Sequence, residues 1–230
     1  MAKKLCAQWN LPGLMVDIRG HGKSRRITAP PSSLATCATE LGATLEANGV
    51  SSDSVTLVGH SLGGRISIEY AATVAAPRQV WLLDTVPGEA HRSVTHVMEI
   101  AALVLQREQP YATTRDLAQD LQSSHGLDTM TAQWLASNYK NHDFNFDLAV
   151  AQALAADIGN QDLCQRIEAA LQQGVLVDLV RGGKNPAWKQ HLPRLQAMED
   201  HQSFQIHALE QAGHWVHVDD LNGLLKVMSR

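Results

Sequence analysis

No apolar run in this chain approaches the roughly 18 residues that a membrane-spanning helix needs. The first nine residues turn polar at Lys3 and Lys4, too early for the apolar stretch of a secretory signal. A chain with no membrane span is expected, cytoplasmic by default and organellar only if a transit peptide precedes it. Cysteine is scarce: Cys6, Cys37 and Cys164 are odd in number, far apart and free of C-x-x-C spacing. That excludes a disulfide framework and a cysteine-based zinc site, and a reducing compartment fits. Charge of one sign is also lacking, with 19 basic against 23 acidic residues and a net charge of -4. Basic residues are scattered apart from Lys3-Lys4 and the cluster 23–26, so neither nucleic acid nor an anionic membrane is expected as a partner. Arg19-Gly20-His21-Gly22 lacks the third glycine of a dinucleotide loop, and no cofactor is called for. The pairs His91/His96 and His214/His217 have only loosely metal-like spacing. Such pairs are commoner as surface or pocket histidines, and no metal site is expected.

What is present is a chain of 230 residues, 44% hydrophobic and 18% charged, enough for one domain with a real core. Five short apolar runs read as buried strands: 13–17 (GLMVD), 55–59 (VTLVG), 79–84 (QVWLLD), 175–180 (VLVDLV) and 204–209 (FQIHAL). Between the first two, Leu34, Cys37, Ala38, Leu41 and Leu45 recur at helical spacing behind the capping residues Ser32 and Ser33. Residues 66–76 carry no helix breaker before Pro77. The predicted fold is α/β, a mostly parallel sheet with helices on both faces. From about 89 to 171 strand signals stop and helical patterns take over at 94–107, 114–123, 129–139 and 148–171, the last broken near Gly159. The expected organisation is a core of 1–88 and 172–230 with a helical cap, 89–171, inserted between two strands. No internal repeat or low-complexity stretch is seen.

Gly59-His60-Ser61-Leu62-Gly63 matches G-x-S-x-G, in which a strand turns sharply into a helix and exposes a serine. The bare pattern arises by chance in a chain of this length with a probability on the order of 0.1. Its setting is what distinguishes it, since an apolar strand precedes it and a breaker-free helix with a further glycine, Gly64, follows. A side chain at either glycine of the motif would crowd the neighbouring strand or helix. The competing reading is a glycine-rich turn with a helix-capping serine. If Ser61 is a nucleophile, the Leu62 N–H is expected to serve the oxyanion hole.

A serine hydroxyl needs a histidine to accept its proton and a carboxylate to orient that histidine. His214 follows the last strand run in Ala212-Gly213-His214-Trp215 and is read as the base, with His217 its nearest rival. His60 and Trp215 are read as pocket residues. The loop 181–186 (RGGKNP) has no carboxylate, so Asp84, at the end of the run 79–84, becomes the candidate acid. The alternative is that Asp84 merely caps the segment starting Thr85-Val86-Pro87. Asp178 is read as structural.

Four stretches together, 17–24 (DIRGHGKS), 59–64 (GHSLGG), 83–88 (LDTVPG) and 212–217 (AGHWVH), resemble the α/β-hydrolase superfamily, and within it the YbfF-type esterases and related plant and algal hydrolases. Phe144-Asn145-Phe146-Asp147 in the cap is similar too, and the resemblance covers nearly the whole chain. It implies hydrolysis of a carboxylic ester or thioester of small or medium acyl size, with an aspartate matching Asp84 as acid. It also implies three further strands and a His-Gly loop ahead of residue 17, the loop giving a second oxyanion N–H. About a dozen residues precede the first strand run, so the chain is expected to lack those strands. Two functions are therefore expected: a serine hydrolase acting on a small-molecule ester or thioester, or a catalytically impaired ligand-binding module.

Overall fold

The computed structural model describes residues 1–88, 90–199 and 201–229, with the side chains of 90–93 outside the description. In chain order it begins with helix α1 (Ala2–Trp9), α2 (Leu34–Ala47), strand β1 (Thr56–His60), α3 (Leu62–Thr73) and β2 (Gln79–Leu83). Then come α4 (Ala90–Leu105), α5 (Thr114–Ser123), α6 (Thr129–Ser137), the short strands β3 (Tyr139–Lys140) and β4 (Asp143–Phe144), and α7 (Leu148–Ile158). The chain closes with α8 (Leu163–Gln172), β5 (Leu176–Gly182), α9 (Leu192–Gln196), β6 (Phe204–Leu209), α10 (Val216–Asp219) and α11 (Leu221–Val227). These elements divide into two compact units, one of Met1–Val16, Ser33–Ala90 and Ile158–Arg230, the other of Asp17–Ser32 and His91–Asp157.

The first unit holds a four-stranded sheet in the order β1-β2-β5-β6, parallel throughout, with Val58, Trp81, Asp178 and Gln205 in register across it. Strands β2 and β5 are almost continuously apolar because both of their faces are covered. On one face Val80, Leu82, Val177 and Leu179 pack with Leu45 of α2, Ile68 of α3 and Ile167 of α8. On the other, Trp81, Leu83, Val180 and Leu209 pack with Leu5 of α1, Val216 of α10, and Leu224. Ser33 caps α2 as expected, its Oγ accepting the Thr36 N–H at 3.1 Å. The long helical pattern at 148–171 divides near Gly159 into α7 and α8, and Asp162 Oδ1 restarts the helix by accepting from the Cys164 and Gln165 N–H groups.

Four strands stand where five were expected. Residues 13–16 form no strand, and Leu14 and Met15 are 48% and 81% exposed. An apolar run becomes a strand only where a neighbour takes up its backbone hydrogen bonds, and among the described residues none lies beside it. The region read as mostly helical also contains the short β3–β4 hairpin.

The second unit packs Met98, Ala101, Leu117, Leu121, Leu135 and Phe144 into a core of its own. Phe146 stacks on Phe144 at 5.0 Å and on Trp134 at 6.4 Å. Residues 17–32 attach here: the Gly22 N–H donates to Asn145 O (3.0 Å), the Asp147 N–H donates to Gly20 O (2.6 Å), and Arg25 pairs with Asp143. Two stretches far apart in sequence, 17–24 and 144–147, thus hold each other through backbone bonds.

Candidate active site

The site is built on the turn between β1 and α3. Ser61 adopts φ 51° and ψ −113°, a conformation costly for any residue with a side chain. It is held by its own N–H, which donates to Leu83 O of the neighbouring strand at 3.0 Å, and by its carbonyl, which accepts the Arg65 N–H at 3.1 Å. Ser61 occupies the N-cap of α3 but makes no side-chain capping bond, which removes the reading of a turn with a capping serine. Leu62 is the first residue of α3, so its N–H is one of those a helix leaves without an internal acceptor.

Only one glycine of the motif meets the steric expectation. A Cβ on Gly59 would lie 2.3 Å from the Gly63 carbonyl group, backbone that cannot swing aside, whereas one on Gly63 meets nothing within 4 Å. The second tight approach falls instead at Gly64, 1.9 Å from Thr85 Oγ1. Gly59→Ala is therefore expected to destabilise the protein by about 3 kcal/mol. Gly63→Ala should leave stability unchanged or raise it by up to about 1 kcal/mol through helix propensity. Thermal melts distinguish them, since each kcal/mol moves Tm by roughly 2–4 °C at this chain length.

Asp84 lies just past β2 with φ 42° and is fully buried. Four donors converge on its carboxylate. Gly182 N–H and the Trp188 indole N–H both donate to Oδ1 at 2.7 Å, while the Asn185 amide donates to Oδ2 at 2.5 Å and His214 Nδ1 meets Oδ2 at 2.7 Å. A carboxylate offers only acceptors, so His214 must carry its proton on Nδ1, leaving the Nε2 lone pair free. The His214 side chain is 39% exposed. The loop 181–186, which has no carboxylate of its own, thus supplies two of the donors that hold Asp84. Asn185, Trp188 and Gly182 were not foreseen as part of the site.

Arg65, buried in α3, donates to Val86 O and to Gln161 O (3.2 Å), tying the segment after Asp84 to the helix that follows Ser61. Burial lowers its pKa to about 10, so it remains charged at neutral pH. Asp178 has a different set of partners, His207 Nε2 at 2.7 Å and Gln79 Nε2 at 2.7 Å, within the sheet.

His60 and Trp215 gather around His214: the His60 ring is 4.7 Å from that of His214 and 5.4 Å from Trp215. His60 Nε2 donates to His214 O at 2.8 Å. His217 touches the His60 ring edge-on at 4.6 Å, but its buried Nδ1 has no hydrogen-bond partner among the described residues. Between the two rival histidines, only His214 reaches Asp84. The side chain of His91 lies outside the described residues, and among those described no group of three His, Cys, Asp or Glu is arranged to hold a metal ion. No helix of the described residues is long and apolar enough to cross a membrane.

Burial, then the neighbouring His214, pushes His60 down to about 4. Burial, then the N-terminal amine and His214, lowers His217 as well. For both, the folded-state pKa lies below the unfolded value, so the unfolded chain binds protons first as pH falls. Stability from His60 is complete above about pH 6.5 and is lost toward pH 4, and that from His217 is lost in the same direction. His60 alone is expected to cost about 2 kcal/mol between pH 7.5 and pH 5, read as a lower urea midpoint at the acid pH and largely absent in His60→Phe.

Comparison with known proteins bears on the family and the fold. A family model described as the alpha/beta hydrolase family matches residues 3–223. Esterase YbfF of Escherichia coli K12 is 25% identical over 233 residues, covering 100% of this chain and 85% of that protein. Among solved structures, a marine microorganism esterase superposes with a TM-score of 0.71 at 18% identity, covering 98% of this chain and 88% of the other. The E-2-(acetamidomethylene)succinate hydrolase gives 0.69 at 19% identity, covering 93% and 78%. Both are similar to this chain in fold. With a parallel sheet turning at Ser61 into a helix, and a family match that runs nearly end to end, the chain belongs to the alpha/beta hydrolase family.

Proposed function

We propose that this protein is a serine hydrolase that cleaves a small-molecule carboxylic ester or thioester through an acyl-enzyme. The observation that carries the reading is the saturated Asp84 carboxylate, whose partners compel the Nδ1–H form of His214. In that form Nε2 is a base. It takes the proton from Ser61 Oγ as the oxygen attacks the acyl carbon, and Asp84 stabilises the imidazolium that results. The Leu62 N–H faces the negative charge that develops on the acyl oxygen. His214 then returns the proton to the departing alcohol or thiol. A water molecule, deprotonated in turn by His214, releases the acid and restores Ser61.

The similarity to a protein named an esterase supports the choice of ester over other bonds. A serine at the elbow argues against reactions on this fold that need an aspartate nucleophile. In the chain, residues 89–171 fall between β2 and β5, neighbours in the sheet, and we read them as a mostly helical insertion in the hydrolase core. His60 and Trp215 are read as pocket residues beside His214. The test is a fluorophosphonate probe together with a series of p-nitrophenyl esters and acyl thioesters. Stoichiometric labelling of one serine and turnover of at least one series are the expected results. A well-folded protein that takes up no probe sinks the hydrolase reading and leaves a ligand-binding module.

A further inference from the structure

Four groups grip Asp84, but the ring that Asp84 orients hangs from a loop, and a ring is only as well placed as the backbone that carries it. After β6 the chain passes through Ala212 and Gly213 to reach His214 with no regular element until α10. The Lys184 N–H, just past β5, donates to Ala212 O at 2.9 Å and so fastens the loop up to residue 212, while the Gly213 N–H donates to Asp219 Oδ2 at 2.8 Å within the loop and α10. Among the described residues, the bond that joins residue 214 itself to the sheet besides Asp84 comes from His60, whose Nε2 lies 2.8 Å from the His214 carbonyl oxygen. A carbonyl cannot donate, so His60 must be protonated on Nε2.

We infer that His60 is a positioning residue: its Nε2–H fixes the His214 carbonyl, so that Asp84 from β2 and His60 from β1 hold the ring and the backbone of one residue at once. This assignment rests on the reading of His214 as the base. It gives the position before the serine a task distinct from lining the pocket. His60 is itself braced, by Trp215 at 5.4 Å and by the His217 edge at 4.6 Å, so its ring has little freedom to swing. The groups that face it are His214 on the loop after β6, His217 on α10 and Asp84 after β2. Its lowered pKa keeps the ring neutral across the working range, and neutrality leaves Nδ1 without a proton while Nε2 donates.

The test uses two variants and one measurement that does not depend on turnover. His60→Phe keeps a flat ring but has no donor; His60→Gln keeps an N–H at similar reach. A misplaced base costs up to about 100-fold in rate, so His60→Phe is expected to lower kcat by about 10–100-fold with KM changed less than about threefold, and to slow fluorophosphonate labelling in parallel. His60→Gln should recover activity to within about fivefold of the parent. Equal loss in both variants would mean that the ring's packing matters and its donor does not, which overturns the inference; so would a fully active, folded His60→Phe. On the unmodified protein, imidazole nitrogen NMR should show the Nε2–H tautomer of His60 from pH 7.5 to pH 5, with the His214 ring resonances displaced in His60→Phe. An Nδ1–H tautomer at His60, or an undisturbed His214, overturns the anchor even if the protein proves to label with no probe, in which case the hydrolase reading fails separately.

Discussion

Ser61→Ala is expected to remove covalent labelling by a fluorophosphonate and to lower kcat by on the order of 10⁴- to 10⁶-fold, the range for deleting a serine nucleophile whose base and oxyanion donor remain. The fold should scarcely notice. Ser61 makes no capping bond to α3, and the turn is held by its backbone, from Ser61 N–H to Leu83 O and from Arg65 N–H to Ser61 O. Stability is therefore expected to stay within about 0.5 kcal/mol of the parent. A stable Ser61→Ala protein that still turns over esters at the parent rate would mean that another group attacks, and the mechanism proposed for this chain would be wrong.

Asp84 should behave differently, because in the proposed mechanism it serves chemistry and folding together. In Asp84→Asn one of the two oxygens becomes an NH₂ group. On either side it faces donors, Gly182 and Trp188 on one, Asn185 and His214 on the other. His214 can then satisfy the site only by presenting Nδ1 as an acceptor, which moves its proton to Nε2 and disarms the base. A loss of kcat near 10⁴-fold is expected, with fluorophosphonate labelling slowed to match. Asp84→Ala removes the acceptor altogether and leaves the Gly182 N–H, the Trp188 indole and the Asn185 amide unsatisfied around a buried site. At about 1–3 kcal/mol for each buried donor left unpaired, a destabilisation of about 3–5 kcal/mol is expected in urea denaturation. If Asp84→Ala unfolds within about 1 kcal/mol of the parent, the carboxylate is not the hub that its four contacts describe.

The elbow could be read from the sequence because every requirement on it is local. An apolar strand, a serine between glycines and a breaker-free helix are contiguous, and the energy that shapes such a turn is spent within a dozen residues. His214 stood out as the candidate base for a similar reason, as a histidine after a glycine just past the last strand. Asp84 stood at a strand end, and the absence of a carboxylate from 181–186 pointed to it. The function of that loop was hidden. Gly182, Asn185 and Trp188 reach Asp84 from 98, 101 and 104 residues away, and nothing in RGGKNP distinguishes a loop that holds an acid from one that merely lacks one.

Gly64 was noted as the glycine that follows the motif, but its tight approach was hidden because such an approach is a property of two segments distant in sequence. Thr85, which crowds Gly64, belongs to the next strand's end and not to the motif. Residues 13–17 were misread in the opposite sense. Their composition favours a strand, but a strand is defined by the neighbour that pairs with it, and composition carries no information about neighbours.

The amino-acid sequence by itself determined the family, the parallel strands β1, β2, β5 and β6, the turn at Ser61, and the short set of residues from which the proposed base and acid are drawn. Periodicity and local sterics suffice for these, because they act along the chain. Only the tertiary structure decided that His214 and not His217 meets Asp84, that four donors fill the Asp84 carboxylate, and that His60 holds the carbonyl of residue 214 across 154 positions. Hydrogen bonds of that kind depend on angles and distances between strands and loops, and those are set when the sheet packs.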